Sequence, residues 1–161
     1  MDEDSFSRFY RETARGLQGY IRRTCQDPAL AEDILQDSYC RMLRTELPDM
    51  DPPRLKAYLY RTASSLLADH WRRLARERLY RTLSHPREAH SDTRPEGVGE
   101  AFDGLKPADR ALLWLAYVEG FDHREIAQAL RLRRGSVRVL LYRSRKRLLR
   151  ALRPAAAGAS S

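Results

Sequence analysis

Leucine supplies most of the branched aliphatic side chains of this 161-residue chain, and this preference limits the secondary structure that the chain can form. Leucine occurs 23 times, whereas isoleucine and valine together occur seven times. β-Branched residues favour strands, and leucine favours helices. Apolar positions also recur at helical spacing, as Phe6, Tyr10, Leu17 and Ile21 do near the N-terminus. The sequence therefore predicts an all-α fold.

Two blocks of predicted helices are separated by a polar stretch. Residues 81–99 contain prolines and glycines and show no apolar periodicity, which is typical of a linker. The chain is long enough for a small domain on each side of it. The predicted organisation is a first domain over residues 1–80, a flexible linker over residues 81–100, a second domain over residues 101–153 and a disordered tail over residues 154–161.

Capping residues mark several helix ends. Asp27 before Pro28 predicts an N-cap followed by a proline at the first helical position. Pro107 is expected to open a later helix, and Gly120 is expected to end it. These signals place helix boundaries on both sides of the linker.

Positive charge is concentrated in two parts of the chain. The formal net charge is +8, and 27 of the 30 basic residues are arginines. Residues 52–82 carry a net charge of +6 and residues 110–161 one of +9, whereas the remaining segments are acidic. Two basic blocks indicate two surfaces that face a polyanion. Composition alone leaves a second interpretation open, in which arginine covers solvated helix faces.

The sequence lacks the patterns that several functional classes of protein require. The longest apolar run covers residues 111–118, far short of the ~20 residues of a membrane-spanning helix. The acidic N-terminus contains no secretory signal, so we expect a cytoplasmic protein without membrane insertion. Cys25 and Cys40 have no metal-ligand or disulfide spacing, and no catalytic motif surrounds the four histidines. We therefore predict no catalytic, metal or cofactor site and no small-molecule substrate.

A short helix followed by an arginine-rich one indicates DNA binding. Residues 123–130 would form the first helix and residues 134–147 the second, with a tight turn between them. In a helix-turn-helix, the first helix supports the second, whose polar face enters the major groove. The basic charge of this half favours DNA binding over an ordinary helical hairpin.

The same residues resemble a known family. The segment LKPADRALLWLAYVEGFDHREIAQALRLRRGSVRVLLYRSRKRL resembles region four of bacterial sigma factors, in particular the small extracytoplasmic-function group of the sigma-70 superfamily. The segments AEDILQDSYCRML and KAYLYRTASSLLADHWRR resemble two successive helices of region two. The resemblance covers residues 6–152 and implies a protein that is not an enzyme. Such a protein binds core RNA polymerase and promoter DNA and helps to open the duplex.

The resemblance assigns roles to three groups of residues. Those matching the polymerase-docking face of region two are Asp33, Gln36 and Asp37. Those expected at the −10 element are the phosphate-binding Arg61, Arg72, Arg73 and Arg76 and the base-stacking Trp71. Those on the helix that reads the −35 element are Arg134, Ser136, Arg138, Val139 and Arg143. The alternatives are an ordinary solvated face for the first group and core packing for the aromatic residues, including Tyr58 and Tyr60.

Some positions depart from the family pattern. Arg131 stands where the family often has a glycine, and Arg133 where it has a small capping residue. Leu140 replaces a residue that is commonly basic in the recognition helix, and Ser65 replaces a frequent asparagine of region two. These differences predict an unusual promoter preference and leave the turn geometry open.

Two further points concern partners. A stand-alone helix-turn-helix regulator would account for the second half of the chain, but it leaves the Asp33, Gln36 and Asp37 face unexplained. The resemblance also implies an anti-sigma factor as a possible partner, because such proteins often clamp the two domains. No residue of the sequence points directly to one.

Overall fold

Helices account for all the regular structure in the computed structural model, which describes residues 1–84 and 97–152. Side chains are described up to residue 79 and again from residue 97. The helices are α1 (Glu3–Cys25), α2 (Pro28–Arg44), α3 (Pro52–Ser84), α4 (Val98–Asp103), α5 (Pro107–Tyr117), α6 (His123–Leu130) and α7 (Arg134–Leu152). No strand occurs within the two described ranges, and the all-α prediction is confirmed.

Side-chain caps place the helix starts where the sequence predicts them. The Asp27 carboxylate accepts hydrogen bonds from the N–H groups of Ala29 and Leu30, at 3.1 and 3.3 Å, and Pro28 begins α2. Asp122 and Glu125 form a reciprocal capping box at the start of α6, with both bonds at 2.8 Å. Such bonds satisfy N–H groups that a helix start leaves without partners.

The predicted linker is partly helical. The α3 helix continues to Ser84 and α4 begins at Val98, so both ends of the range 81–100 lie in helices. The middle of that range, residues 85–96, and the predicted tail over residues 154–161 lie outside the described residues.

Each half of the chain forms a small helical bundle. The N-terminal half, α1–α3, buries apolar residues from all three helices, among them Leu17, Ile34 and Leu59. In the C-terminal half, α4–α7, the core includes Ile126 and Val137. Both bundles follow from amphipathic helices that bury one face each.

The two halves also pack directly against each other. The α1 helix contacts α5, and α3 contacts α6. The Phe121 ring lies 5.2 Å from the Tyr60 ring, and buried residues of both halves form one continuous cluster. The sequence predicts two domains on a flexible linker, but nothing in its periodicity predicts this contact.

The turn between α6 and α7 forms without a glycine. Arg131 ends α6 in the left-handed region, at φ 53° and ψ 47°, and its N–H donates to the Ala127 carbonyl. The N–H of Leu132 donates to the same carbonyl at 2.9 Å. A left-handed conformation costs a residue with a side chain about 1–2 kcal/mol. Arg131 therefore takes the conformation for which the family's glycine is suited, but with strain.

Replacing Arg131 by glycine is expected to raise the free energy of unfolding by about 0.5–1 kcal/mol. The relief of left-handed strain outweighs the greater entropy of glycine in the unfolded chain. Urea denaturation measures the change. Arg133→Gly is the control, because Arg133 has no positive φ and the same substitution there should lower stability. Equal effects at the two positions would exclude backbone strain as the cause.

Candidate nucleic-acid interface

The α7 helix presents an exposed face opposite the one that anchors it. Val137, Leu141 and Ser144 are buried at positions i, i+4 and i+7 and form the inward stripe of α7. At 100° per residue, the opposite stripe consists of Gly135, Val139, Tyr142 and Lys146. Arg138 and Arg143 flank this stripe on either side. The exposed face is wide enough for a groove-reading surface.

The predicted −35 residues all lie on α7, but they do not share one line. Arg134, Arg138, Val139 and Arg143 are exposed, and Ser136 is half-buried. By helical angle, Arg134 lies nearest to the buried stripe and Val139 lies opposite it. Their helical angles therefore place some of these residues at the centre of the exposed face of α7 and others at its edge.

Tyr142 was not predicted as a site residue, yet it lies at the centre of the exposed face. Its side chain is 50% exposed, and the Lys146 ammonium lies 4.9 Å from the ring centroid. The i+4 spacing from Arg138 could have identified it. A large aromatic ring with a cation above it can contact base edges, thymine methyl groups or sugars.

A buried carboxylate holds α7 against α5. The Asp109 Oδ1 atom accepts hydrogen bonds from the Ser144 hydroxyl and the Arg147 guanidinium, both at 2.7 Å. Asp109 is almost fully buried in the first turn of α5. A charge-assisted bond in such a site is stronger than a bond between exposed groups. The pair of bonds therefore sets the orientation from which α7 presents its exposed face.

Leu140 has a packing role. Its side chain is half-buried and contacts the core cluster. A basic residue here would lose hydration or displace this contact. The absence of the family's usual charge therefore agrees with the local burial.

The α3 helix carries the second basic surface. Arg61, Arg72, Arg73 and Arg76 are all exposed. The Arg72 guanidinium lies 2.9 Å from the Asp69 carboxylate, one helical turn away. Exposed pairs of this kind contribute little to stability, so Arg72 can exchange its partner for a phosphate at small cost.

The aromatic residues of α3 serve mainly as core residues. Trp71 and Tyr58 are half-buried against the core cluster, and Tyr60 is fully buried. The Tyr60 hydroxyl donates to Glu119 at 2.7 Å, so in this arrangement its ring is not available for base stacking. Trp71 retains partial exposure at the edge of the basic surface.

The predicted docking residues share one face of α2. Asp33 and Gln36 are exposed, and Asp37 is half-buried with its carboxylate 3.3 Å from the Arg41 Nε atom. The Gln36 amide donates to Glu32 at 3.3 Å. The exposed stripe continues through Cys40 to Leu43. This face is acidic at one end, and the exposed Leu43 and Arg44 lie at the other.

Two other kinds of site are absent from the described part of the chain. Over residues 1–84 and 97–152, no cluster of three or more histidine, cysteine or acidic side chains could hold a metal ion. None of the helices within those ranges is long and apolar enough to cross a membrane.

Comparison with known families identifies both halves. The model of sigma-70 region 2 matches residues 9–77, and the model of sigma-70 region 4 matches residues 96–148. Together they cover most of the chain, in the order that the two bundles follow. The chain belongs to the sigma-70 family. It is a promoter-directing RNA polymerase sigma factor. Its region 2 includes α2 and most of α3, and its region 4 includes α5, α6 and most of α7.

Two of three curated relatives of this sigma factor are named as ECF (extracytoplasmic-function) sigma factors. It is 26% identical to ECF RNA polymerase sigma factor SigK of Mycolicibacterium vanbaalenii, over 80% of this chain and 72% of that protein. It is 25% identical to RNA polymerase sigma factor CarQ of Myxococcus xanthus, over 91% of this chain and 88% of that protein. ECF RNA polymerase sigma factor BldN of Streptomyces coelicolor is 26% identical over 94% of this chain and 61% of its own length.

A solved structure extends the likeness to three dimensions. The sigma factor RpoE of Bartonella quintana, crystallised in complex with the anti-sigma factor NepR, superimposes with a TM-score of 0.68. The match covers 93% of this chain and 98% of that chain at 19% sequence identity. The two proteins therefore share a fold over both halves.

Proposed function

We propose that the two halves of this sigma factor bind different parts of the transcription initiation complex. The N-terminal half, residues 1–80, would dock on core RNA polymerase through Asp33, Gln36 and Asp37 and engage the −10 element with α3. The C-terminal half, residues 101–153, would read the −35 element with α7. The observation that carries this division is the pair of exposed basic surfaces on α3 and α7, each opposite a buried stripe. Arginines spaced in this way suit phosphate contacts, which position a protein on DNA.

Within α7, we assign base reading to the central stripe and its flanks. Arg138 can donate two hydrogen bonds to guanine, and Tyr142 and Val139 can contact thymine methyl groups. Arg134 lies nearer the buried stripe and suits a phosphate contact. This assignment rests on the helical angles of the exposed residues.

Other properties follow from the same proposal. The protein would act without catalysis of its own, in the cytoplasm, as a transient subunit of the polymerase. An anti-sigma factor is a further expected partner, because the structurally similar RpoE was crystallised with one.

In vitro transcription tests the proposal. Core RNA polymerase is incubated with a pool of genomic fragments, with and without the purified protein. Discrete start sites that require the protein would support it, and their upstream sequences would define the −35 and −10 elements. Binding to DNA fragments without any binding to core polymerase would favour the stand-alone regulator.

Replacing Arg138 by alanine is expected to weaken −35 binding by about 1–3 kcal/mol and to relax specificity at one base pair. Holoenzyme binding to promoter variants, measured at several salt concentrations, separates base reading from phosphate binding. Arg8→Ala, an exposed arginine on α1, is the control for net charge. A uniform loss on all sequences, with a smaller salt dependence, would assign Arg138 to a phosphate instead.

A further inference from the structure

Three residues form a row along one face of α5. Asp109, Leu113 and Tyr117 follow one another at intervals of four residues, so their side chains leave the helix in nearly the same direction. Asp109 lies in the first turn of α5, and Tyr117 is its last residue. At 1.5 Å per residue the two are about 12 Å apart along the axis. The row therefore spans most of the helix, and both of its ends bond to α7.

Each end of this row binds an arginine of α7. The Arg147 guanidinium and the Ser144 hydroxyl both donate to the Asp109 carboxylate, each at 2.7 Å. At the other end, the Arg145 guanidinium donates to the Tyr117 hydroxyl, also at 2.7 Å. Asp109 is almost fully buried, whereas Tyr117 and Arg145 are exposed, so the bonds to Asp109 are the stronger ones. We call these five residues the bracket.

The two arginines of the bracket lie on opposite sides of the buried stripe of α7. At 100° per residue, Arg145 lies about 70° from the centre of that stripe in one direction, and Arg147 lies about 90° from it in the other. Rotation of α7 about its axis in either direction lengthens one of the two arginine bonds. The bracket therefore opposes rotation of α7 in both directions.

Apolar packing alone fixes this rotation only loosely. Val137 and Leu141 are held by burial, which depends on the area removed from water and not on direction. A hydrogen bond weakens steeply once its length or angle leaves a narrow range. A rotation of about 20° moves a group ~6 Å from the helix axis by about 2 Å, which is enough to break such a bond. The bracket therefore defines the angle more sharply than the apolar stripe does.

The start of α5, which carries Asp109, is itself held in place. Pro107 begins the helix, and the buried Arg110 guanidinium donates to the carbonyl groups of Asp103 and Leu105, which precede it in the chain. Asp109 thus projects from a helix start that is bonded back to the segment before it. A carboxylate on such a support holds its two partners at a defined position.

We propose that the bracket determines the −35 specificity of this sigma factor by fixing the rotation of α7 about its axis, with Asp109 as the main positioning residue. Asp109 is too deeply buried to touch DNA and acts through α7. Arg145 and Arg147 then hold the helix and are not phosphate contacts, although they lie in the most basic segment of the chain. The inference rests on the proposed function, since it takes α7 to be the helix that reads the −35 element.

A change in the rotation of α7 differs from the loss of one base contact. Arg138, Val139 and Tyr142 all lie on the exposed face, so turning the helix displaces all three together. Loss of Arg138 alone is expected to relax specificity at one base pair. Loss of the bracket should instead relax specificity at several base pairs at once.

Promoter discrimination by the holoenzyme tests the proposal. Binding to a promoter defined by in vitro transcription is compared with binding to its single-base-pair variants across the −35 element. Asp109→Ala should lower discrimination about tenfold at two or more base pairs, because a good base contact discriminates by about that factor. Asp109→Asn keeps a side-chain oxygen that accepts from Ser144 and Arg147, so its discrimination should stay within about threefold of the wild type. Unchanged discrimination in Asp109→Ala would overturn the proposal.

A matched pair of variants separates positioning from phosphate binding. Tyr117→Phe and Arg145→Ala remove the same bond from its two ends, and both residues are exposed, so both variants should fold. A positioning role predicts that both lower discrimination by about threefold and leave the salt dependence of binding unchanged. A phosphate contact predicts that Arg145→Ala lowers the slope of log K against log salt by about 0.9, and that Tyr117→Phe has no effect. That second pattern would contradict the role of the bracket.

Leu115→Ala is the control for a loss of stability alone. Leu115 is fully buried in α5, and by helical angle it lies on the side away from the row that holds α7. This variant should be less stable than the wild type but keep its pattern of discrimination, with circular dichroism showing that each variant is folded. If it relaxes the same base pairs as Asp109→Ala, the carboxylate only stabilises the domain and the positioning role is wrong. If the wild-type holoenzyme shows no −35 preference, the proposed function fails instead.

Discussion

Reversing the charges of Asp33 and Asp37 together is expected to abolish binding to core RNA polymerase and to leave the helices intact. Both side chains project from one face of α2, and neither belongs to the buried core. Replacing attraction by like-charge repulsion at two sites costs several kcal/mol, which weakens the complex about 100-fold or more. Binding is measured by fluorescence anisotropy of labelled protein titrated with core polymerase, and helical content by circular dichroism.

The matched control reverses two acidic residues on other helices. Asp4→Arg with Glu77→Arg produces the same net charge from exposed positions on α1 and α3. Some loss of helix stability is expected in the Asp33→Arg, Asp37→Arg variant, because Asp37 pairs with Arg41 and an arginine there would repel it by about 0.5 kcal/mol. If the α2 variant retains its affinity, or if the control loses as much, the docking face lies elsewhere.

The sequence predicts helix starts and buried helix faces, because both depend on residues within a few positions of each other. Asp27 and Pro28 mark the start of α2 because the cap and the missing N–H act within one turn. The stripe through Val137 and Leu141 was readable because burial on one face of a helix repeats every 3.6 residues. The family resemblance adds a prediction of which of the remaining faces binds a partner.

The packing of one half on the other was not predictable in this way. The residues that make this contact form no periodic pattern in the sequence. They include Gly16 and Gly19 in the interior of α1, and Glu119, which resembles any charged residue after a helix end. A glycine in a helix indicates a close approach only once the approaching group is known. The same limit applies to Tyr60, which the sequence places on a basic helix and the structure buries against Glu119.

The sequence prediction leaves out Tyr142 for a different reason. Arginines and family positions directed attention to Arg134 and Arg138, although the buried stripe already defines the direction that faces away from the core. Counting 100° per residue from that stripe places Tyr142 and Lys146 near the centre of the exposed face. The position of Tyr142 can be derived from the sequence, because the buried stripe of a helix fixes the angle at which its exposed face lies.

Removing three of the α3 arginines is expected to reduce −10 binding through salt-dependent contacts. In the triple variant Arg72→Ala, Arg73→Ala, Arg76→Ala, each lost phosphate contact lowers the slope of log K against log salt by about 0.7 for a single strand. The slope should therefore fall by about 2, and affinity at 0.1 M salt about 100-fold. The fold should persist, because the three side chains are exposed and the Arg72–Asp69 pair contributes little.

The measurement uses holoenzyme and a labelled single strand that carries the −10 element, titrated at several salt concentrations. Arg8→Ala, Arg11→Ala, Arg15→Ala removes the same charge from an exposed face of α1 and should leave the slope unchanged. An equal fall in both triple variants would mean that net charge alone attracts the strand. An unchanged slope in the α3 variant would mean that these arginines only cover a solvated face. A fall confined to α3 would place the path of the strand along this helix, because counterion release counts only phosphates that are in contact.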